Sequence, residues 1–147
     1  MSEILLSKFS RYPRRDPVKN YFPVPNEIFT LDLSSGEIAV YCYLMFRENR
    51  ETYQCHPSYK TIGQALKMSA NTVKKYVDAL REKHLIETEH TTITTQDGRK
   101  RNGNLLYTIR PIEEAVRHYL EQQFLKMDEE RSIVAIQKRI DNHLKAG

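Results

Sequence analysis

The sequence predicts a mainly α-helical fold with one small β-hairpin and a C-terminal helical extension. Three observations carry that expectation. Two short amphipathic segments flank Lys67-Met68-Ser69. Further on, a threonine-rich run and a second apolar run enclose a basic stretch, 96–104, that holds two glycines. Beyond Pro111 the chain continues to its penultimate residue without glycine or proline, the composition of a long helix.

Taken in order, residues 1–20 are polar and irregular, with Arg11, Arg14, Arg15 and Lys19 interrupted by Pro13 and Pro17. Prolines this close together break a helix, so a flexible basic arm is expected. Tyr21-Phe22-Pro23-Val24-Pro25 reads as extended chain, because each proline biases its predecessor away from helical geometry. Asn26 is expected to cap a single turn that carries Ile28 and Phe29. A first main helix follows over about 35–49. Ser34 and Glu37 have the spacing of a capping box, and Ile38, Val40, Tyr41, Leu44, Met45 and Phe46 make the helix apolar almost all round. Such a helix is central to a fold. Arg47 to Gln54 is polar and reads as loop.

Ser58 is placed to cap the next helix, where Ile62, Ala65 and Leu66 recur at helical spacing. Ser69 does the same for a helix over about 69–84, whose apolar stripe is Val73, Tyr76, Val77, Leu80 and His84. The opposite face carries Asn71, Lys74, Lys75 and Asp78, with Ala70 and Thr72 beside them. Leu85-Ile86 leaves this helix into a strand, and Glu87 to Thr95 is rich in threonine, a good strand former. Leu105 to Ile109 is its natural partner. Between them Arg99, Lys100 and Arg101 occupy an expected hairpin tip, flanked by Gly98 and Gly103. In 112–147 one stripe runs through Ile112, Ala115, Val116, Tyr119, Leu120, Phe124 and Met127. A second runs through Ile133, Ile136, Ile140 and Leu144. The charged cluster Lys126 to Ser132 is compatible with a break between two helices or with one exposed face.

At 147 residues the chain suits one domain with an appendage, and such a length buries roughly 70% of its unfolded surface without a staple. No apolar run approaches the ~20 residues of a bilayer span, and no signal peptide is visible, so the sequence reads as cytoplasmic and without membrane contact. Cys42 lies in an apolar run and is expected to be a buried thiol. Cys55-His56 has no second pair at metal-ligand spacing, and neither metal nor cofactor is expected. Net charge is +4, and residues 58–110 hold ten Lys/Arg against five Asp/Glu. The positive surplus therefore lies where the two short helices and the hairpin are, and a polyanion is expected to dock there.

Two short helices, a tight turn and a capped second helix form a helix-turn-helix pattern. Over 21–110 the order of motifs resembles the winged helix-turn-helix domains of bacterial, phage and plasmid regulators and replication proteins. These motifs are Val24-Pro25-Asn26, Leu33-Ser34, Pro57-Ser58, Thr61-Ile62, Ser69, Thr72-Val73, Leu80 and Leu85-Ile86. The resemblance implies binding of double-stranded DNA, most simply by a transcriptional regulator, with the helix at 69–84 in the major groove. Asn71 and Thr72 would then read bases. Lys60, Ser69, Lys74 and Lys75 would hold phosphates, and Arg99, Lys100 and Arg101 would act through the wing. The arm at 1–20 would follow a groove or backbone. Plasmid or phage replication initiators carry similar domains and are the alternative, as is a winged helix used for protein interaction, which the basic face opposes. No Ser-His-Asp or Cys-His set, phosphate-cradling glycine loop or His/Glu metal pair is discernible, and His84 and His90 lack a partner for acid–base work, so an enzyme is not expected. The stripes of 111–147 extend past the size of a winged-helix core, and a homodimer through this region is expected.

Overall fold

The computed structural model describes residues 19–146. The expected arm at 1–20 lies outside the described residues except for Lys19 and Asn20, which form a turn. A single 3-10 turn, Asn26–Phe29, buries Ile28 and leaves Phe29 exposed. Its cap position belongs to Pro25, in extended geometry, and no side chain caps it, so Asn26 is the first residue of the turn and not its cap.

Helix α1 spans Ser35–Arg47, two residues shorter than expected because Glu48 is already extended. Ser34 Oγ accepts the Glu37 N–H at 3.2 Å while the Glu37 carboxylate accepts the Ser34 N–H, which closes the capping box. Val40, Tyr41 and Leu44 lie in the core. The helix is not buried all round, since Phe46 is 60% exposed, its ring 5.8 Å from that of Phe22.

Glu37 is nearly inaccessible to solvent, and Lys83, just beyond the helix that ends at Glu82, reaches it at 2.9 Å. The same Lys83 Nζ donates to the Asp32 carbonyl at 2.9 Å. Burial alone raises the Glu37 pKa, but the Ser34 hydrogen bonds and Lys83 outweigh it and hold the carboxyl below its ordinary 4.5. A carboxylate whose folded pKa is depressed contributes stability in full above its unfolded pKa and loses it as pH falls through the folded value. Urea unfolding should therefore show stability declining from about pH 4.5 downward, and Glu37→Gln should flatten that part of the profile. An unchanged acid limb in the variant would count against this ion pair.

Beyond α1, Tyr53 adopts a left-handed φ of 59°, and the Asn49 N–H bonds the Gln54 carbonyl at 2.9 Å. This tight return lets Gln54–Cys55 form strand β1, a segment that the sequence suggested was loop. Cys55, not Cys42, is the buried thiol; Cys42 is half-buried. Burial pushes the Cys55 thiol up to about 11, which leaves it unreactive near neutrality.

Helices α2 (Tyr59–Leu66) and α3 (Ala70–Glu82) follow. Strands β2 (Ile86–Glu89) and β5 (Leu106–Ile109) pair antiparallel, Ile86 opposite Ile109, and β1 adds to the other edge of β5, giving the order β1-β5-β2. The outer hairpin is separate: β3 (Thr92–Thr94) pairs with β4 (Lys100–Asn102), Ile93 opposite Arg101. One continuous strand from Glu87 to Thr95 was expected; the chain instead breaks at 90–91, where Thr91 donates its hydroxyl to the Asn104 carbonyl and accepts the Gly103 N–H at 2.7 Å. The arrangement is a winged helix-turn-helix with a C-terminal helix.

That last helix, α4 (Ile112–Ala146), is unbroken for 35 residues, or about 52 Å. The charged cluster at 126–132 is thus an exposed face and not a break. Ala115 is buried and Tyr119 half-buried, whereas every residue from Leu120 to Ala146 is exposed. At about 100° per residue, Leu120, Phe124 and Met127 share one face, and Ile133, Ile136, Ile140 and Leu144 share roughly the opposite one. Among the described residues no helix is long and apolar enough to cross a membrane.

Candidate nucleic-acid interface

Both helices of the motif start in the same way. Ser58 Oγ accepts the Thr61 N–H at 3.0 Å and lies 2.8 Å from the Thr61 hydroxyl. Ser69 Oγ accepts the Thr72 N–H at 3.2 Å and lies 2.8 Å from the Thr72 hydroxyl. Each cap satisfies a donor that the helix leaves unpaired. Val73, Val77 and Leu80 then seat α3 in the core, each contributing about 1.5–3 kcal/mol by burial. In α2 the buried positions are Ile62 and Gly63; Ala65, expected on the apolar stripe, faces solvent.

The turn between them is tight. Lys67 closes α2 at φ 57°, ψ 49°, a left-handed conformation that glycine adopts more cheaply than lysine, and the Met68 N–H reaches back to the Gly63 carbonyl at 2.8 Å. Opposite the buried stripe, α3 presents Asn71, Lys74 and Lys75, all exposed, with Lys75 Nζ 5.8 Å from the Tyr76 ring centre. Asp78 completes this face, and Arg81 holds it at 3.3 Å. No acidic residue stands in the first turn, so the positive end of the helix dipole is uncompensated on the side where Asn71 lies. Lys60 is exposed on α2.

Helix α3 covers 70–82, shorter at both ends than the expected 69–84. Ser69 is its cap, and His84 is not on its stripe. His84 stands past the helix end at φ 65°, and its ring stacks on His118 of α4 with centroids 3.9 Å apart. In the wing, Arg99 belongs to the tip, where Thr95 and Arg99 bond across the turn and Gly98 takes φ 79°. Lys100 and Arg101 lie in β4 instead, so successive side chains alternate and these two take opposite faces of the hairpin. Of the expected residues, Asn71, Thr72, Lys74 and Lys75 share α3, with Ser69 at its cap. Arg99, Lys100 and Arg101 share the wing.

Lys67 was not foreseen. A lysine held in a conformation that favours glycine, exposed in the turn before α3, is the signal; it is readable only once φ is known. Among the described residues no group of three or more His, Cys, Asp or Glu is placed to hold a metal ion.

No curated protein matches the chain. Solved structures that resemble it include a possible transcriptional regulator from Methanosarcina mazei Go1, 16% identical over 71% of this chain and 81% of that one, with a TM-score of 0.47. A MepR variant from S. aureus bound to an oligodeoxyribonucleotide is 16% identical over 79% and 83%, with a TM-score of 0.43. A ZitR variant from Lactococcus lactis is 18% identical over 97% and 87%, with a TM-score of 0.39. Residues 31–86 match the family described as helix-turn-helix domain, and the two capped helices and the tight turn between them lie within that stretch.

Proposed function

We propose that the protein binds double-stranded DNA selectively and acts as a transcriptional regulator, with α3 in the major groove. The observation that carries this is the exposed face of α3 in a helix-turn-helix domain: an amide at its start, two lysines behind it and no acid in the first turn. Asn71 and Thr72 read base edges, since an Asn side chain pairs in two places with adenine and a threonine methyl meets thymine. The Thr72 hydroxyl stays with Ser69, so its methyl is the part left for a base. Lys60, Lys67, Lys74 and Lys75 hold phosphates, with Ser69 beside them at the helix start, and the wing adds Arg99, Lys100 and Arg101. The acidic residues Asp78 and Glu82 further along α3 favour approach by its N-terminal half. Residues 21–110 form the DNA-binding unit in this reading, and 111–147 the dimerisation unit.

Selection of bound sequences from a random duplex pool tests this. Asn71→Ala should relax preference at one or two positions, costing about 1–3 kcal/mol against the preferred site, whereas Lys75→Ala should weaken all duplexes alike. A site ranking untouched by Asn71→Ala would remove α3 from the reading role.

The partner of α4 is a second copy of the chain. Its exposed apolar side chains, Phe124 at 67% and Leu144 at 74% among them, form patches that monomers seldom leave open. The charges favour antiparallel pairing: residues 112–131 carry three cations against six anions, and 132–146 three cations against one anion. Sedimentation of the full chain should show dimers, and chains ending at 127 should be monomers with weak half-site binding. A full-length monomer at tens of micromolar overturns the pairing.

A further inference from the structure

Where the end of α1, the loop after it, the end of β5 and the root of α4 converge, the surface sinks into a cavity of about 430 Å³. That volume falls in the range of small-molecule sites, roughly 300–1,000 Å³. Tyr41, Met45, Tyr53, Ile109 and Ile112 give it largely apolar walls. Arg50 and Arg110, also in the wall, are charged, and so is Glu48. Its side chain is 4% exposed, and its Oε2 is buried without a hydrogen-bond partner. Arg50 stands 3.9 Å from Oε1, too far for a hydrogen bond. Glu48 also occupies the C-cap of α1, where the helix dipole is negative and a carboxylate is disfavoured. Burial raises its pKa accordingly. Two independent features, an orphaned buried acceptor and the negative end of a 13-residue helix, thus converge on the same cavity wall and favour the same sign of charge.

We propose that this cavity binds a small organic cation, a primary ammonium carried on a compact apolar or aromatic body. The ammonium supplies Glu48 with the donor that it lacks, and it is stabilised by the helix end and by the faces of Tyr41 and Tyr53. The body replaces water along Met45, Ile109 and Ile112. A carboxylate ligand would meet Glu48, and both arginines of the wall are engaged already, Arg50 with Glu48 Oε1 at 3.9 Å and Arg110 with both oxygens of Glu114 at 2.7 and 3.0 Å. A neutral hydroxyl could donate to the Glu48 oxygen but would leave its buried charge uncompensated.

Thermal unfolding of the full chain near neutral pH, at matched ionic strength, provides the test. Benzylammonium chloride should raise the unfolding temperature in a saturable way, and benzyl alcohol and sodium benzoate should not. Glu48→Gln keeps the shape and removes the charge, so the variant should fold, be as stable or more so without ligand, and lose the response. The amide resonances of Ile109 and Ile112 should move on titration with the cation in the native chain only. The proposal is overturned if benzylammonium gives no stabilisation at tens of millimolar, if benzyl alcohol matches it, or if Glu48→Gln responds as the native chain does. Resonance shifts confined to other parts of the chain overturn the location.

Discussion

Gly63→Ala should destabilise the protein by about 1–3 kcal/mol, although glycine inside a helix is ordinarily replaced by alanine with a gain of about 1 kcal/mol. The sign reverses because of what lies over Gly63. A Cβ there would stand 2.4 Å from the Met68 carbonyl oxygen, which is backbone, in the turn that sets α3 against α2. Either the turn opens, and loses the 2.8 Å bond from the Met68 N–H to the Gly63 carbonyl, or α2 shifts off Val73. Gly36→Ala is the useful comparison. Its Cβ would overlap the Tyr76 ring at 2.1 Å, a closer approach, but the atoms in the way belong to the far end of a side chain that can swing outward. Urea denaturation of both variants should therefore rank Gly63→Ala as the more damaging. The opposite order would mean that the turn is softer than its hydrogen bonds imply.

Replacing Arg99, Lys100 and Arg101 together by alanine should flatten the dependence of log affinity on log salt by about two units, at roughly 0.9 per phosphate lost. Three adjacent cations suggest a larger change. The strand geometry reduces it, since Lys100 and Arg101 take opposite faces of β4 and a single duplex backbone meets only one of them together with Arg99. The unfolding midpoint should barely move, because all three side chains are exposed. A slope change near three would mean that the duplex wraps both faces of the wing, and no change would leave the wing with a solubilising role.

What the sequence disclosed was governed by local rules. The caps Ser34, Ser58 and Ser69 were legible because each bonds an N–H three residues ahead, a relation fixed by spacing alone. The buried stripe of α3, and with it the exposed face of Asn71, Lys74 and Lys75, followed from helical periodicity. Features set by distant partners were not legible. Strand β1 has two residues and no period of its own; it exists because β5 offers an edge. Cys55 is buried and Cys42 is not, because that strand closes over Leu44, whose carbonyl lies 3.6 Å from Cys55 Sγ. His84 continued the apolar spacing of α3 on paper, yet it turns out of the helix to stack on a residue 34 positions later. The wing divided into two short ladders at 90–91, where Gly103 packs so close to Thr91 that a Cβ would meet its hydroxyl, a contact between residues twelve apart. The Glu48 cavity is assembled from α1, the loop after it, β5 and α4, and no stretch of sequence contains it.

The two apolar faces of α4 have a consequence for stoichiometry. A rod that is sticky on one side finishes with one partner, whereas a rod that is sticky on opposite sides is bivalent. Two straight helices laid side by side shelter either the Leu120-Phe124-Met127 face or the Ile133-Ile136-Ile140-Leu144 face, and the other remains open. Assembly then stops at two chains only if the open face turns onto the partner's helix-turn-helix body, which closes the interface about a two-fold axis. Otherwise dimers recruit dimers, and the mass in solution climbs with concentration until both sides of every rod are covered.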